Sequence, residues 1–149
     1  MHFTSNVYNG IFLKNNKYDN CVYMVVDDYM FVLKNLDKVK ESDKYICNNV
    51  MIVDIVDKYD PYIQYETVIL NDTYNIGDAI CDYDTGIECF KMPIRAYFEG
   101  LDTSNYTGYY YNWHDNGNLK LRGHFNNGFR YGQWDFYHEN GELNYSQIY

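Results

Sequence analysis

Three histidines, four cysteines and one cluster of carboxylates are the side chains best able to do chemistry, and their spacing decides what chemistry is open to them. His114 and His138 stand 24 positions apart, with His124 between them. Read on successive strands of a sheet, His114 and His138 lie two strands apart, roughly 10 Å at ~4.8 Å per strand. Zinc holds its nitrogen ligands at about 2.0–2.1 Å, so nothing in the pattern brings the pair to one ion. Cys21, Cys47, Cys81 and Cys89 show no Cys-x-x-Cys pair, which removes the zinc-ribbon reading. Asp82, Asp84 and Glu88 surround Gly86, but the glycine comes too early and the glutamate far too early for an EF-hand loop. No serine sits on a Gly-x-Ser-x-Gly turn and no cysteine has an evident histidine partner. The expectation is a protein that is not an enzyme, with no catalytic residues, no cofactor and no metal.

The elements that hold these side chains are more informative. Tyr106–Tyr149 is one unit written twice: Gly108 recurs as Gly132, His114 as His138, Asn116 as Asn140, Gly117 as Gly141 and Leu119 as Leu143, every step being 24 positions. Tyr110 is answered by Trp134, Trp113 by Tyr137 and Phe125 by Tyr149. A fixed period in the twenties marks a stacked array. Gly108–His114 is an aromatic run with strand propensity, and the Asn116-Gly117 that follows suits a tight turn, where positive φ is needed. Leu119, Leu121, Gly123 and Phe125 then alternate with Asn118, Lys120, Arg122 and His124, as in a half-buried strand. Asn127-Gly128 and Asn140-Gly141 supply the next two turns. The reading is a meander of four strands. Alternation puts Tyr109, Tyr111 and Trp113 on one face and Trp134 and Phe136 on a face opposite Tyr137, so both faces carry rings.

The pattern Gly-x-aromatic-x-x-aromatic-x-x-Asn-Gly-x-Leu, followed by Phe-x-Asn-Gly, resembles the MORN-type repeat, in the variant found in bacterial proteins described as antitoxins and in proteins of large DNA viruses. The first copy departs from it in carrying Tyr110 where Trp is usual, and Asn112 breaks an aromatic column. The resemblance covers two repeats, less than a third of the chain. It implies a curved single-layer antiparallel sheet of stacked hairpins that mediates protein contacts, without a cofactor. Some members of the family are credited with lipid binding.

Composition limits the partners. The chain has 149 residues, 46% hydrophobic and 19% aromatic, with 19 tyrosines, enough to build a core. Heavy use of Asn, Asp, Ile, Lys and Tyr points to an AT-rich genome, as in giant viruses of amoebae and some protists. Net charge is −9, about −7 of it in residues 1–100 and −2 in the remainder. An acidic balance in both parts opposes nucleic acid, whose binding draws on cationic contacts, and opposes anionic membranes likewise. Met1–Asn6 has neither a basic start nor an apolar run, and apolar windows such as Cys21–Val26 are strand-sized. A cytoplasmic protein is expected, in the host cytoplasm or the virion if the source is viral.

Ahead of the repeats, residues 1–90 read as a β domain of five to seven strands. Val7–Lys14 reads as a strand or small hairpin interrupted at Asn9-Gly10, Cys21–Asp27 and Tyr29–Leu33 as strands broken at Asp27-Asp28, and Asn35–Lys44 as a charged loop or one helical turn. The apolar run within Tyr45–Lys58 suggests a strand covered on both faces, and Tyr62–Leu70 another strand. Asp84-Thr85-Gly86 reads as the loop of a hairpin that sets Cys81 opposite Cys89, both remaining free thiols in a reducing compartment. Residues 91–105 hold one short helix, Met92–Gly100, with Ile94, Tyr97, Phe98 and Leu101 as its buried stripe, and a linker.

The expected fold is therefore mainly β, an N-terminal β domain plus a C-terminal antiparallel meander of two repeats in 106–149. The expected function is protein–protein interaction or scaffolding through the aromatic repeats. Tyr109, Tyr111, Trp113, Trp134, Phe136 and Tyr137 are the candidate partner-binding residues, since aromatics dominate interface hot spots. Self-association through the C-terminal edge strand is a second expectation. The alternatives are an antitoxin or immunity-type inhibitor of a cationic protein and an assembly component of a large DNA virus.

Overall fold

The computed structural model describes residues 5–37 and 44–149. It is mainly β and divides into two compact units, the second of which takes in Phe98–Tyr149.

The N-terminal unit opens on a helix, α1 (Ser5–Leu13), followed by a short 3-10 turn, Asn16–Tyr18. Here the strand reading of Val7–Lys14 fails. Tyr8 and Phe12, four apart, fall on one helical face and are fully buried, while Gly10 has open space around it and costs the helix only its propensity. Then come β1 (Cys21–Val26), β2 (Tyr29–Asn35), β3 (Lys44–Cys47), β4 (Asn49–Asp57), β5 (Thr67–Ile69), β6 (Thr73–Asn75), β7 (Ala79–Cys81) and β8 (Ile87–Phe90). Eight described strands stand where five to seven were expected. The loop expected over Asn35–Lys44 lies for the most part outside the described residues. Much of Tyr62–Leu70 is not strand; Thr67–Ile69 pairs with β6, and Gln64 makes a single bridge to Val56 of β4.

Six of these strands form an antiparallel sheet in the order β3-β8-β1-β2-β4-β7. Asp27, at φ 52°, turns β1 into β2. A bulge in β4 opposite Val32/Leu33 changes the parity of that strand, so Ile52 and Ile55 both face one core. That core also holds Val22, Phe31, Leu33, Cys47, Val50 and Cys89, and the β5–β6 hairpin lays Val68 and Tyr74 against it. The other face carries Tyr23, which meets Phe12 of α1 edge-on at 5.4 Å. The long apolar run of β4 is thus covered on both faces, as a run without alternation demands.

The hairpin expected across Asp84-Thr85-Gly86 is not formed. β7 pairs with β4 and β8 with β3 and β1, which places Cys81 and Cys89 at distant positions of the sheet. The Asp82 carboxylate accepts from the Asp84 and Thr85 N–H groups and from the Thr85 hydroxyl, closing a local turn of its own instead of a strand pairing. All four cysteines are free thiols.

A second helix, α2 (Pro93–Phe98), starts on Pro93 as expected, and Ile94 and Tyr97 are buried. The Asn9 side chain accepts from the Ile94 N–H at 2.9 Å, a helix N-terminus satisfied from α1, 85 positions away.

The C-terminal unit is a four-stranded antiparallel meander: β9 (Gly108–Trp113), β10 (Leu119–Asn126), β11 (Phe129–Tyr137) and β12 (Leu143–Ile148). Its turns stand at the three Asn-Gly pairs. Asn127 and Gly128, at φ 49° and 84°, form the two-residue β10–β11 turn with positive φ at both positions. The other two turns are copies of one another. His114 N–H donates to Asn118 O at 2.8 Å and Gly117 N–H to His114 O at 3.0 Å; His138 to Glu142 and Gly141 to His138 repeat both distances.

Candidate partner-binding surface

The register of the meander sorts its side chains into two faces. Tyr110, Phe125, Trp134, Phe136, Tyr145 and Tyr149 share one. Trp134, only 1% exposed, meets Phe125 edge-on at 5.0 Å, approaches Tyr110 at 6.2 Å and Tyr149 at 6.3 Å, and has the Arg130 guanidinium 4.8 Å above it. The indole N–H donates to His124 O at 3.2 Å. Phe136 stacks on Tyr145 at 4.6 Å. Trp134 and Phe125 form a small core on this face, at whose margin Tyr145 and Tyr149 stay exposed. Trp134 is consequently not available to a partner, and Phe136 is turned away from the other candidates. The two were grouped with Tyr109, Tyr111, Trp113 and Tyr137 as partner-binding residues; the register separates them.

The opposite face carries Tyr109, Tyr111, Trp113 and Tyr137, together with Arg122, His124, Tyr131, Gln133 and Asp135. Tyr109 is 55% exposed and Tyr131 61% exposed, and His124 stands between them, 5.2 Å from the first ring and 6.1 Å from the second. A shallow pit of about 210 Å³ opens here, lined by Tyr109, Tyr111, Arg122, His124, Gln133 and Asp135. A backbone irregularity produces it. Between the pairs Arg122–Asp135 and His124–Tyr131, β11 runs Gly132-Gln133-Trp134 past the single residue Gly123. Gly132, at φ 69°, takes the left-handed turn this requires. The bulge sets Arg122 opposite Asp135 on the face of the pit, while Trp134 lies over Gly123 on the other.

At the floor, Asp135 is held by three donors: Gln133 Nε2 at 2.8 Å, Ser146 Oγ at 2.7 Å and Arg122 Nε at 3.1 Å. The Gln133 and Ser146 hydrogen bonds, followed by Arg122, keep its carboxyl below the usual range, and Asp135 in turn raises the Arg122 guanidinium. The Arg122 head also lies 5.8 Å from the Tyr137 ring. His124 Nδ1 is buried without a hydrogen-bond partner, the one such side-chain atom among the described residues. The pit thus combines aromatic walls, a neutral ion pair and one unsatisfied ring nitrogen. Among the described residues no three His, Cys, Asp or Glu side chains gather where a metal could be held. His114 Nε2 instead lies 3.0 Å from Tyr137 O, 23 positions away on β11, a contact between the two repeats and not the local one expected before a turn.

Sequence reasoning singled out Tyr109, Tyr111, Trp113 and Tyr137 and passed over Arg122, Tyr131, Gln133 and Asp135. Alternation alone puts Arg122 and His124 on one face. The Arg122–Asp135 partnership needs the bulge, which composition does not announce. Among the described residues no helix is long and apolar enough to cross a membrane. No family model matches the chain, and no curated protein or solved structure matches it either.

Proposed function

We propose that this chain is a non-enzymatic interaction module whose C-terminal repeats hold a protein partner on the Tyr109–Tyr131 face. The supporting observation is the asymmetry of the meander. One face packs Tyr110 and Phe125 around a buried Trp134, with Tyr145 and Tyr149 exposed at its margin, while the other leaves Tyr109 and Tyr131 standing above a pit with a polar floor. Rigid amphipathic rings around a few placed polar groups are what interface cores are made of. The turn hydrogen bonds repeated at the same period support two copies of one MORN-like unit. Tyr109, Tyr111, Trp113 and Tyr137, joined by Tyr131 and Arg122, carry the contact in this reading.

Net charge favours one kind of partner. At −9 the chain attracts cationic proteins and speeds their encounter, which supports an inhibitor of a cationic protein as a second reading. Affinity capture from the source cells tests both. The wild-type chain, a Tyr109→Ser/Tyr131→Ser double variant and a control altered at exposed Tyr62 are used as baits. A protein retained by wild type and by the control but lost by the double variant supports the proposal, and a basic one supports the inhibitor reading. Equal retention by all three baits contradicts it.

A further inference from the structure

The two outer edges of the meander are not alike. At β9 the Phe98 ring packs across the strand, 5.7 Å from Tyr110 on one face and 5.6 Å from Tyr111 on the other, and so obstructs that edge. At β12 all six residues are exposed, and among the described residues pairing is to β11 alone. Tyr149 N–H donates to Gly132 O at 2.9 Å, so Tyr145, Gln147 and Tyr149 turn their backbone groups toward β11. Ser146 and Ile148, alternating with them, point theirs outward. Leu143–Ile148 reads LNYSQI, without a charge or a proline, although the chain as a whole carries −9. The usual guards of an open edge, lysine, proline or an inward charge, are missing from it.

We infer that β12 pairs antiparallel with β12 of a second copy of this chain, making one continuous sheet across a two-fold axis. Two other occupants are disfavoured by a single residue. Where β11 crosses β10, Trp134 rests on Gly123, and a Cβ there would come within 2.1 Å of the indole. The residue equivalent to Gly123 one repeat later is Gln147. A further hairpin of the same kind, or the β9 edge of another copy, would have to seat its ring on that glutamine. Head-to-tail stacking is therefore blocked, whereas pairing of β12 with itself is closed and self-complementary. With the axis at Ser146, its small side chain faces its own counterpart, and Tyr145 lies opposite Gln147 of the second copy. A contact of one strand pair is small, so the dimer is weak, and two chains of −9 repel until salt screens them.

Sedimentation of the full chain over a concentration series tests this, with amide exchange alongside. The mass is expected to rise from one chain to two and stop, at lower protein concentration when salt is raised. The amides of Ser146 and Ile148 are expected to slow at least tenfold between dilute and concentrated samples, with Gln147 protected in both. Ile148→Pro removes an outward N–H without touching the β11 ladder, and is expected to hold the chain at one copy while tryptophan fluorescence stays native. A mass of one chain at every concentration, growth beyond two, or a dimer in which Ser146 and Ile148 exchange as fast as in dilute solution overturns the inference. The exchange data on the wild-type chain decide the matter even if the proline variant does not fold.

Discussion

The indole of Trp134 lies directly on Gly123 of the neighbouring strand: a β-carbon at Gly123 would stand 2.1 Å from Cδ2 and 2.3 Å from Cε2. The glycine is a seat, and the seat lets a tryptophan at the end of a bulge pack flat against a single-layer sheet. Gly123→Ala forces either the ring or the strand to move. We expect a loss of about 2–3 kcal/mol, the upper part of the range for overpacking, measured by urea unfolding followed through the fluorescence of Trp113 and Trp134. Trp134→Ala is expected to cost more, about 3–5 kcal/mol, because the ring is 1% exposed and nothing else fills its place.

Asp135 sets the response of the repeats to acid. Its carboxyl is held low by Gln133 and Ser146 first and by Arg122 after them. A carboxyl whose folded pKa is depressed contributes stability that is present above its unfolded value, about 3.9, and lost as pH falls through the lower folded value. Asp135→Asn is therefore expected to destabilise the chain at neutral pH and to flatten its acid limb below about pH 4. Thermal unfolding of both proteins between neutral and acid pH checks this; parallel curves would remove Asp135 from the account.

Lys58 works in the other direction. It is buried, its amine lies 4.7 Å over the Tyr97 ring, and burial lowers its pKa, the nearby Asp28 offsetting this only in part. A base with a lowered folded pKa costs stability wherever the unfolded chain is charged and the folded site resists charging. That cost fades as pH rises from the folded value toward about 10.4. Lys58→Met, which keeps the length and removes the charge, is expected to raise the melting temperature at pH 7, with the gain shrinking at alkaline pH.

The cysteines give a direct check on the N-terminal sheet. Cys81 is exposed on β7, where its thiol reaches Asn49 Oδ1 at 3.2 Å, whereas Cys21, Cys47 and Cys89 are buried. A thiol reagent is expected to label Cys81 rapidly and the other three only on unfolding. Fast labelling of Cys89 would contradict the placement of β8 inside the sheet.

How far the fold could be read from sequence depended on how local the determining physics was. The three Asn-Gly turns and the 24-residue period are local, and the meander follows them. The β1–β2 hairpin at Asp27 and the start of α2 at Pro93 are local too. What escaped depends on distant partners. Asn9-Gly10 looks like a turn until Tyr8 and Phe12 find Tyr97 and Tyr23, at 5.3 Å and 5.4 Å, and a helix wins. Cys81 and Cys89 look like a hairpin pair until β7 and β8 choose separate neighbours. In the candidate site the register implied by the Asn127-Gly128 turn sets Arg122 opposite Gln133. The bulge carries it two residues further, to Asp135, and so forms the pair at the floor of the pit.

The central claim is that the Tyr109–Tyr131 face, and not the face closed around Trp134, meets the partner. Photocrosslinking from a benzophenone side chain tests it most directly, introduced singly at Tyr109, Tyr131, Phe136 and Tyr145 in the chain expressed in its source cells. The account predicts adducts with another polypeptide from positions 109 and 131 and none with that polypeptide from 136. Adducts confined to 136 and 145, or none from 109 and 131, would contradict it.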